Sequence, residues 1–233
     1  MRKHLLLLTT VLAALMLASC GNDEPVVRIN YEPVDLGLSV KWATMNIGAA
    51  KTTAYGKLMG WADSSGVHST QDGIVISYRD NKTYCEWNSP YYGGKSPMNN
   101  ISGSNYDAAR YMWNLKWRVP TQAEWQELIN GCTWTTETTA EGLRVARATG
   151  PNGKSVIFQL GGIDEVGDGS PADRGVIGYY WTATLLPQAS QTSYGYESNV
   201  ACAAWAVVMS DGRPQLVPQV RCYHLLIRPV LAE

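Results

Sequence analysis

Residues 120–131 read Pro-Thr-Gln-Ala-Glu-Trp-Gln-Glu-Leu-Ile-Asn-Gly. Thr121 and Glu124 have the spacing of a capping box, in which each side chain accepts a hydrogen bond from the other residue's backbone N–H. The apolar positions that follow fall at i, i+3 and i+4, namely Trp125, Leu128 and Ile129. Gly131 is the residue type that commonly stops a helix. The segment therefore predicts a short helix with one buried face.

The flanking sequence predicts a second helix and several strands. Residues 105–116 place Tyr106, Ala109, Met112 and Trp113 at helical spacing, which indicates a helix upstream. Downstream, Gly150-Pro151-Asn152-Gly153 has turn chemistry and predicts a hairpin between strands at 143–149 and 155–160. Further strands are expected at 179–184, 203–209 and 221–230. The polar stretches 86–104, 161–178 and 186–199 are expected to be long loops.

The first twenty residues have the layout of a secretion signal. Two basic residues precede an apolar run, Leu5–Leu17, that is too short for an ordinary membrane span. The end of the run, Leu17-Ala18-Ser19-Cys20, resembles the bacterial lipobox. That resemblance implies removal of residues 1–19 and attachment of lipid to Cys20, which would anchor the chain to a bilayer. A plain signal peptide with an incidental cysteine is the alternative.

A polar segment follows the proposed lipidation site. Gly21-Asn22-Asp23-Glu24-Pro25 has no apolar periodicity, so residues 20–33 are expected to be a flexible tether. The acidic residues resemble the export pattern of Bacteroides-type surface lipoproteins. We therefore expect an outer-membrane lipoprotein on the cell surface, with the periplasmic face as the alternative. Residues 34–233 are expected to form one globular domain.

Charge argues against nucleic acid as a partner. Without Arg2 and Lys3 of the signal, 17 basic residues stand against 20 acidic ones. No basic run is interleaved with aromatic residues, as phosphate binding would require. We expect no nucleic-acid partner.

Four cysteines remain after Cys20, namely Cys85, Cys132, Cys202 and Cys222. In an oxidising compartment they allow three full pairings, and buried free thiols are equally open. Cys202 and Cys222 are the first choice for a bridge, because both are expected in neighbouring C-terminal strands. No C-x-x-C spacing is present for zinc or redox chemistry.

The residues offer no catalytic or metal-binding constellation. Only His68 and His224 follow the signal, which excludes a multi-histidine metal centre, and no G-x-S-x-G motif occurs. Asp164, Asp168 and Asp173 could supply oxygen ligands to Ca²⁺, but their spacing is not that of an EF-hand, and a solvated acidic loop is favoured. We predict no catalytic residue, no cofactor and no bound metal.

Four segments carry a family resemblance: residues 34–49, residues 117–125, residues 178–184 and Ile227-Arg228-Pro229-Val230. Together they resemble the signature segments of the Fibrobacter succinogenes major paralogous domain and its Bacteroides lipoprotein relatives. The resemblance implies an α+β, C-type-lectin-like fold, as in formylglycine-generating enzymes, with two short helices, twisted antiparallel sheets and long loops. This chain departs from the pattern with Met45 where relatives often have Cys, and with His224 where they often have Gly.

Within these segments a structural role is the first expectation. The tryptophans Trp42, Trp117, Trp125 and Trp181 lie in apolar alternation and are expected in the core. Arg118 and Arg228 are expected to hold loops through backbone carbonyls.

The resemblance also has an enzymatic branch. Formylglycine-generating enzymes bind copper through closely spaced C-terminal cysteines, whereas Cys202 and Cys222 are 20 positions apart. The Ca²⁺-binding triplets of sugar-binding C-type lectins are absent.

These observations favour a non-enzymatic ligand-binding or adhesion module for an extracellular protein or glycan. The aromatic and arginine types common at binding hot spots are concentrated near the C-terminus. The candidate residues are Tyr194, Tyr196, Trp205, Arg213, Arg221, Tyr223 and His224. A formylglycine-generating-type oxidase and a structural subunit of a surface assembly are the alternatives.

Overall fold

Short antiparallel strands and two short helices make up the part of the chain that the structure describes. The structure is a computed structural model that describes residues 31–63, 98–165, 169–187, 203–221 and 223–231, all within one unit, Tyr31–Glu233. The helices are α1 (Ala108–Met112) and α2 (Gln122–Gly131). The strands are β1 (Pro33–Val34), β2 (Trp42–Ala43), β3 (Trp117–Arg118), β4 (Thr133–Thr138), β5 (Arg144–Thr149), β6 (Ser155–Gln159), β7 (Gly178–Leu185), β8 (Ala203–Met209), β9 (Gln215–Val220) and β10 (Val230–Leu231).

Helix α2 confirms the capping box and corrects the expected stop. Thr121 and Glu124 make both reciprocal hydrogen bonds, and the predicted apolar face is buried. Gly131, however, is the last helical residue, and the chain becomes extended at Cys132. A Cβ on Gly131 would lie 2.8 Å from Leu38 Cδ2, so this glycine allows close packing instead of a left-handed turn.

Helix α1 is shorter than the predicted 105–116. The Asp107 side chain accepts from the N–H groups of Ala109 and Arg110, which makes Asp107 the N-cap and starts the helix at the next residue. Beyond the helix, Asn114 Oδ1 accepts from Lys116 N at 2.9 Å. This side-chain bond gives the backbone an alternative to the helical ladder, so the helix ends before it.

The strands form three sheets, with the orders β1-β2-β10-β3, β4-β5-β6 and β7-β8-β9, and every strand pairing is antiparallel. The predicted hairpin is present, with Thr149 opposite Ser155. The strands predicted at 179–184 and 203–209 are β7 and β8. No strand was predicted in the segments that form β1, β2, β3, β4 and β9.

The continuous strand predicted over 221–230 is wrong. Only Val230–Leu231 is a strand at that end of the chain, and the preceding residues make isolated bridges with three separate segments. His224 pairs with Asp164, Leu225 with Met59 and Leu226 with Tyr180. Consecutive residues of this segment therefore pair with different parts of the chain. The local sequence does not indicate which distant segment each residue pairs with.

Two hydrophobic clusters lie on opposite faces of β8. Side chains alternate along a strand, so Ala204 and Ala206 belong to the first cluster while Val207 and Met209 belong to the second. The four tryptophans expected in the core are all buried: Trp117 and Trp181 in the first cluster, and Trp42 and Trp125 in the second. Helix α2 packs into the second cluster.

Candidate ligand-binding surface

The structure separates the residues that the sequence grouped as one surface. Cys20, Tyr194 and Tyr196 lie outside the described residues, as do Cys85, Cys202, Cys222 and Asp168. Five candidates are described. Arg221 and His224 are buried, Trp205 and Tyr223 are half-buried, and Arg213 is exposed.

Arg221 and His224 are interior, which corrects the expectation that they lie on an exposed surface. Arg221 is fully buried, with its Cζ atom 4.9 Å from the ring centroid of Trp61. His224 exchanges two backbone hydrogen bonds with Asp164, at 2.9 and 3.1 Å. A histidine near the C-terminus suggested a binding role, but the backbone pairing with Asp164 places His224 in the interior.

The Asp164 carboxylate is buried as well, so the solvated acidic loop favoured for it is wrong. Asp164 Oδ2 lies 3.7 Å from His224 Nδ1 and accepts from Gly169 N at 2.9 Å. Asp173 is exposed. Among the described residues no group of three or more His, Cys, Asp or Glu side chains could hold a metal ion. The described part of the loop therefore brings together one buried acid–histidine pair.

Trp205 and Tyr223 lie on different sides of β8. Trp205 pairs with Pro218 of strand β9 and shares a face with Val207, two residues along β8, so it lies on the face of the sheet that carries α2. Tyr223 packs against the first cluster and donates its backbone N–H to Val220 O at 3.0 Å. The tertiary structure does not join these two aromatic side chains into one patch.

Arg213 lies at the end of α2 and lines an open groove, here called the Arg213 groove. Its Nε donates to Ile129 O at 3.2 Å, and its Nη2 donates to Asn130 Oδ1. The last carbonyls of a helix lack helical partners and carry partial negative charge, so an arginine is favourable there. The groove has a volume of about 360 Å³ and is lined by Gln126, Ile129, Asn130, Arg213, Pro214, Gln215 and Leu216. The side-chain amides of Gln126, Asn130 and Gln215 are part of this lining and can hydrogen-bond a polar ligand.

Arg118 and Arg228, the two arginines of the segments with the family resemblance, connect parts of the chain to one another. Arg228 is fully buried, and its Nη1 donates to the Ala43 carbonyl at 3.0 Å, as expected. Burial lowers the pKa of Arg228 to about 10, so the guanidinium stays charged at neutral pH. Arg118 reaches a carboxylate, with 2.5 Å between its Nη2 and Glu124 Oε1. Burial opposes ionisation of Glu124, but hydrogen bonds from Arg118 and Thr121 outweigh it and lower the pKa of that carboxyl.

A second open groove, which the sequence analysis missed, lies beside α1. It has a volume of about 500 Å³ and is lined by Ser104, Asn105, Asp107, Arg110, Tyr111 and Leu115. The sequence carried a partial signal for it. Tyr111 lies opposite the apolar stripe predicted over 105–116, whereas Arg110 lies beside that stripe and Leu115 lies beyond the end of α1.

In the part of the chain that is described, none of the helices is long and apolar enough to cross a bilayer. No family model matches the chain, and no curated protein or solved structure is significantly similar to it.

Proposed function

We propose that this protein is a lipid-anchored component of the cell envelope that binds a protein or glycan ligand outside the cell and catalyses no reaction. The lipobox-like Leu17-Ala18-Ser19-Cys20 and the acidic tether after it support the anchor. The Arg213 groove carries the binding role. In this groove Arg213, a residue type common at binding hot spots, lies beside the side-chain amides of Gln126 and Asn130 on α2.

The C-type-lectin-like fold is part of the same proposal. Its support is the way in which separate signature segments contact one another. Arg228 of the last segment donates to Asn46 and Ala43 of the first. Trp125 and Trp181, from the two middle segments, are joined by a hydrogen bond from Trp125 Nε1 to Trp181 O at 3.3 Å. These contacts join all four signature segments into one packed structure.

The rigidity of the surrounding structure favours binding at the Arg213 groove. Its wall is α2, whose Trp125 and Leu128 are fully buried. Its other side is the hairpin of β8 and β9, of which β8 lies between two strands. A groove formed before the ligand arrives loses less conformational entropy on binding.

The binding role is tested with the purified protein on arrays of glycans and extracellular proteins. We expect at least one ligand whose binding falls about tenfold or more in Arg213→Ala, since charge-assisted hydrogen bonds contribute roughly 1.5–3 kcal/mol. Arg174→Ala is the control, because Arg174 is an exposed arginine that does not line the groove. Equal losses in both variants, or turnover of a substrate by the protein, would contradict the proposal.

The anchor is tested separately. Mass spectrometry of the N-terminal peptide should show a diacylglyceryl group on Cys20. Cys20→Ala should move the protein from the membrane fraction to the soluble fraction, because the acyl chains contribute about 0.8 kcal/mol for each buried CH₂ group. An unmodified Cys20 in the mature protein would refute the anchor and leave the binding proposal to its own test.

A further inference from the structure

The groove beside α1, defined by Ser104, Asn105, Asp107, Arg110, Tyr111 and Leu115, is separate from the Arg213 groove. Asp107 accepts a hydrogen bond from Val119 N, which places this groove near the start of α2. The Arg213 groove lies at the other end of that helix. Binding at the two sites can therefore be tested with independent variants.

Exposed apolar surface is concentrated at this groove. Tyr111 and Leu115 are each 67% exposed, whereas neighbouring Ala108 and Ala109 are buried. An exposed tyrosine offers a flat apolar face and a hydroxyl that can donate and accept. Such a face suits the C–H side of a sugar ring.

One arginine, Arg110, lines the groove, in a stretch of sequence that is rich in basic residues. Residues 98–118 contain one acidic residue, Asp107, against Arg110, Lys116 and Arg118. Arg118 forms an ion pair with Glu124. No ion pair among the described residues involves Arg110. The Arg110 guanidinium is thus available to an anion.

The Asp107 carboxylate lies beneath the groove and not at its rim. Asp107 is fully buried, and its two oxygens accept from four backbone N–H groups, those of Gly103, Ala109, Arg110 and Val119. Burial raises the pKa of this carboxyl even though those four bonds favour the ionised form. Asp107 therefore supports the loop and α1 from beneath, and presents no carboxylate to a ligand.

Aromatic packing holds the groove in place. Tyr31 stacks on Trp113 with ring centroids 3.7 Å apart, and Trp113 meets Trp117 edge to face at 5.3 Å. These contacts fix the end of α1, so Arg110 and Tyr111 are presented on a formed surface.

We propose that this groove binds a saccharide that carries a carboxylate, such as a uronic or sialic acid. Arg110 holds the carboxylate through paired N–H donors, Tyr111 stacks on the ring, and Asn105 hydrogen-bonds hydroxyl groups. This site is separate from the Arg213 groove, so the inference adds a second binding site to the function proposed above.

The test uses isothermal titration calorimetry of the purified protein with digalacturonate, sialyllactose and neutral lactose. We expect one of the two acidic saccharides to bind at least tenfold more tightly than lactose. Arg110→Gln should remove that preference, and Tyr111→Ala should weaken binding of the same saccharide severalfold. The controls Arg174→Gln and Val176→Ala, both at exposed positions outside the groove, should change neither affinity.

A matched ligand pair separates the carboxylate from the rest of the sugar. Methyl esterification of digalacturonate should weaken binding to the unmodified protein about tenfold and leave binding to Arg110→Gln unchanged, because the contact is then already lost. An equal loss in both proteins would overturn the role of Arg110. So would binding of an oligoglutamate peptide as tight as that of the saccharide, since it would show recognition of charge alone.

Arg213→Ala distinguishes this inference from the wider proposal. We expect it to leave the affinity for acidic saccharide unchanged. If the affinity for acidic saccharide is lost in Arg213→Ala and kept in Arg110→Gln, the saccharide does not bind at the α1 groove. The wider proposal that the protein binds a ligand would then still hold. If no acidic saccharide binds, this inference fails, and the array experiment decides the wider function.

Discussion

The guanidinium Nε of Arg228 donates to Oδ1 of Asn46 at 2.8 Å, across 182 positions of sequence. The same guanidinium donates to Gln159 Oε1 at 2.9 Å and lies 4.6 Å from the ring centroid of Phe158. These partners are neutral, so a buried cation is held by amide and carbonyl oxygens and by an aromatic face. The contact joins the loop after β2 to the chain just before β10.

Replacing Arg228 should be among the more damaging single changes in this protein. Arg228→Met removes the donors to Asn46, Gln159 and the Ala43 carbonyl, and an unsatisfied buried acceptor costs about 1–3 kcal/mol. We expect the free energy of unfolding in urea to fall by about 3 kcal/mol or more. Arg228→Lys should not restore it, because an ammonium lacks the planar fork of donors. A loss below about 1 kcal/mol would show that these bonds contribute little.

Ionisation of Tyr180 should lower the free energy of unfolding at alkaline pH. Its hydroxyl donates to Gln159 O at 2.8 Å, and burial raises the pKa of the phenol to about 12. The unfolded chain releases this proton near pH 10, so the stabilisation is complete below pH 10 and is lost as pH rises toward 12.

Tyr180→Phe tests this directly, with Arg228 present in both proteins. At pH 8 the variant should be about 1–2 kcal/mol less stable, because the hydroxyl no longer donates to Gln159 O or accepts from Asn46 Nδ2. Between pH 8 and pH 11 the unmodified protein should lose about 1.4 kcal/mol more than the variant. Parallel pH profiles of unfolding free energy would contradict the raised pKa.

Asp107→Asn should be destabilising although it removes a buried charge. Both carboxylate oxygens accept from backbone N–H groups, and the asparagine amide nitrogen would face two of those donors. We expect a loss of about 2 kcal/mol or more in unfolding free energy, from buried donors left without acceptors. Asp35→Asn is the control, because exposed Asp35 uses Oδ1 to accept from Gly37 N, a bond that asparagine keeps.

Two glycines of one hairpin should respond differently to alanine. A Cβ on Gly150 would overlap the Leu36 carbonyl oxygen and lie 2.8 Å from Leu36 Cβ, so Gly150→Ala forces the backbone apart. We expect Gly150→Ala to lower the free energy of unfolding by about 2–3 kcal/mol. Gly153 has φ near +80° with nothing within 4 Å of an added Cβ, so Gly153→Ala should cost only about 1 kcal/mol. Thermal denaturation of both variants checks the order, and a reversed order would contradict the packing argument.

Local patterns predicted the elements that lie within one stretch of chain. The capping box at Thr121, the turn at Gly150 to Gly153 and strand β8 all depend on residues close in sequence, and all are present. The bounds of α1 were missed because Asp107 and Asn114 bind the backbone through their side chains and so shorten the helix at both ends. Strand β4 was missed because its threonine-rich, half-exposed sequence has no apolar alternation.

Residue types in the sequence alone predicted that Trp42, Trp117, Trp125 and Trp181 are buried, since large rings in apolar segments have few other places to go. Trp61, which is also buried, was not predicted. Tertiary structure alone assigned the polar side chains. Arg213 is exposed at the end of α2, whereas Arg221 is buried over Trp61, and nothing in their local sequence separates them. A long polar side chain is placed by the acceptors and rings that distant segments bring to it. For the same reason, the groove beside α1 depends on tertiary structure, because N–H groups of Gly103 and Val119 from separate segments hold Asp107 beneath it.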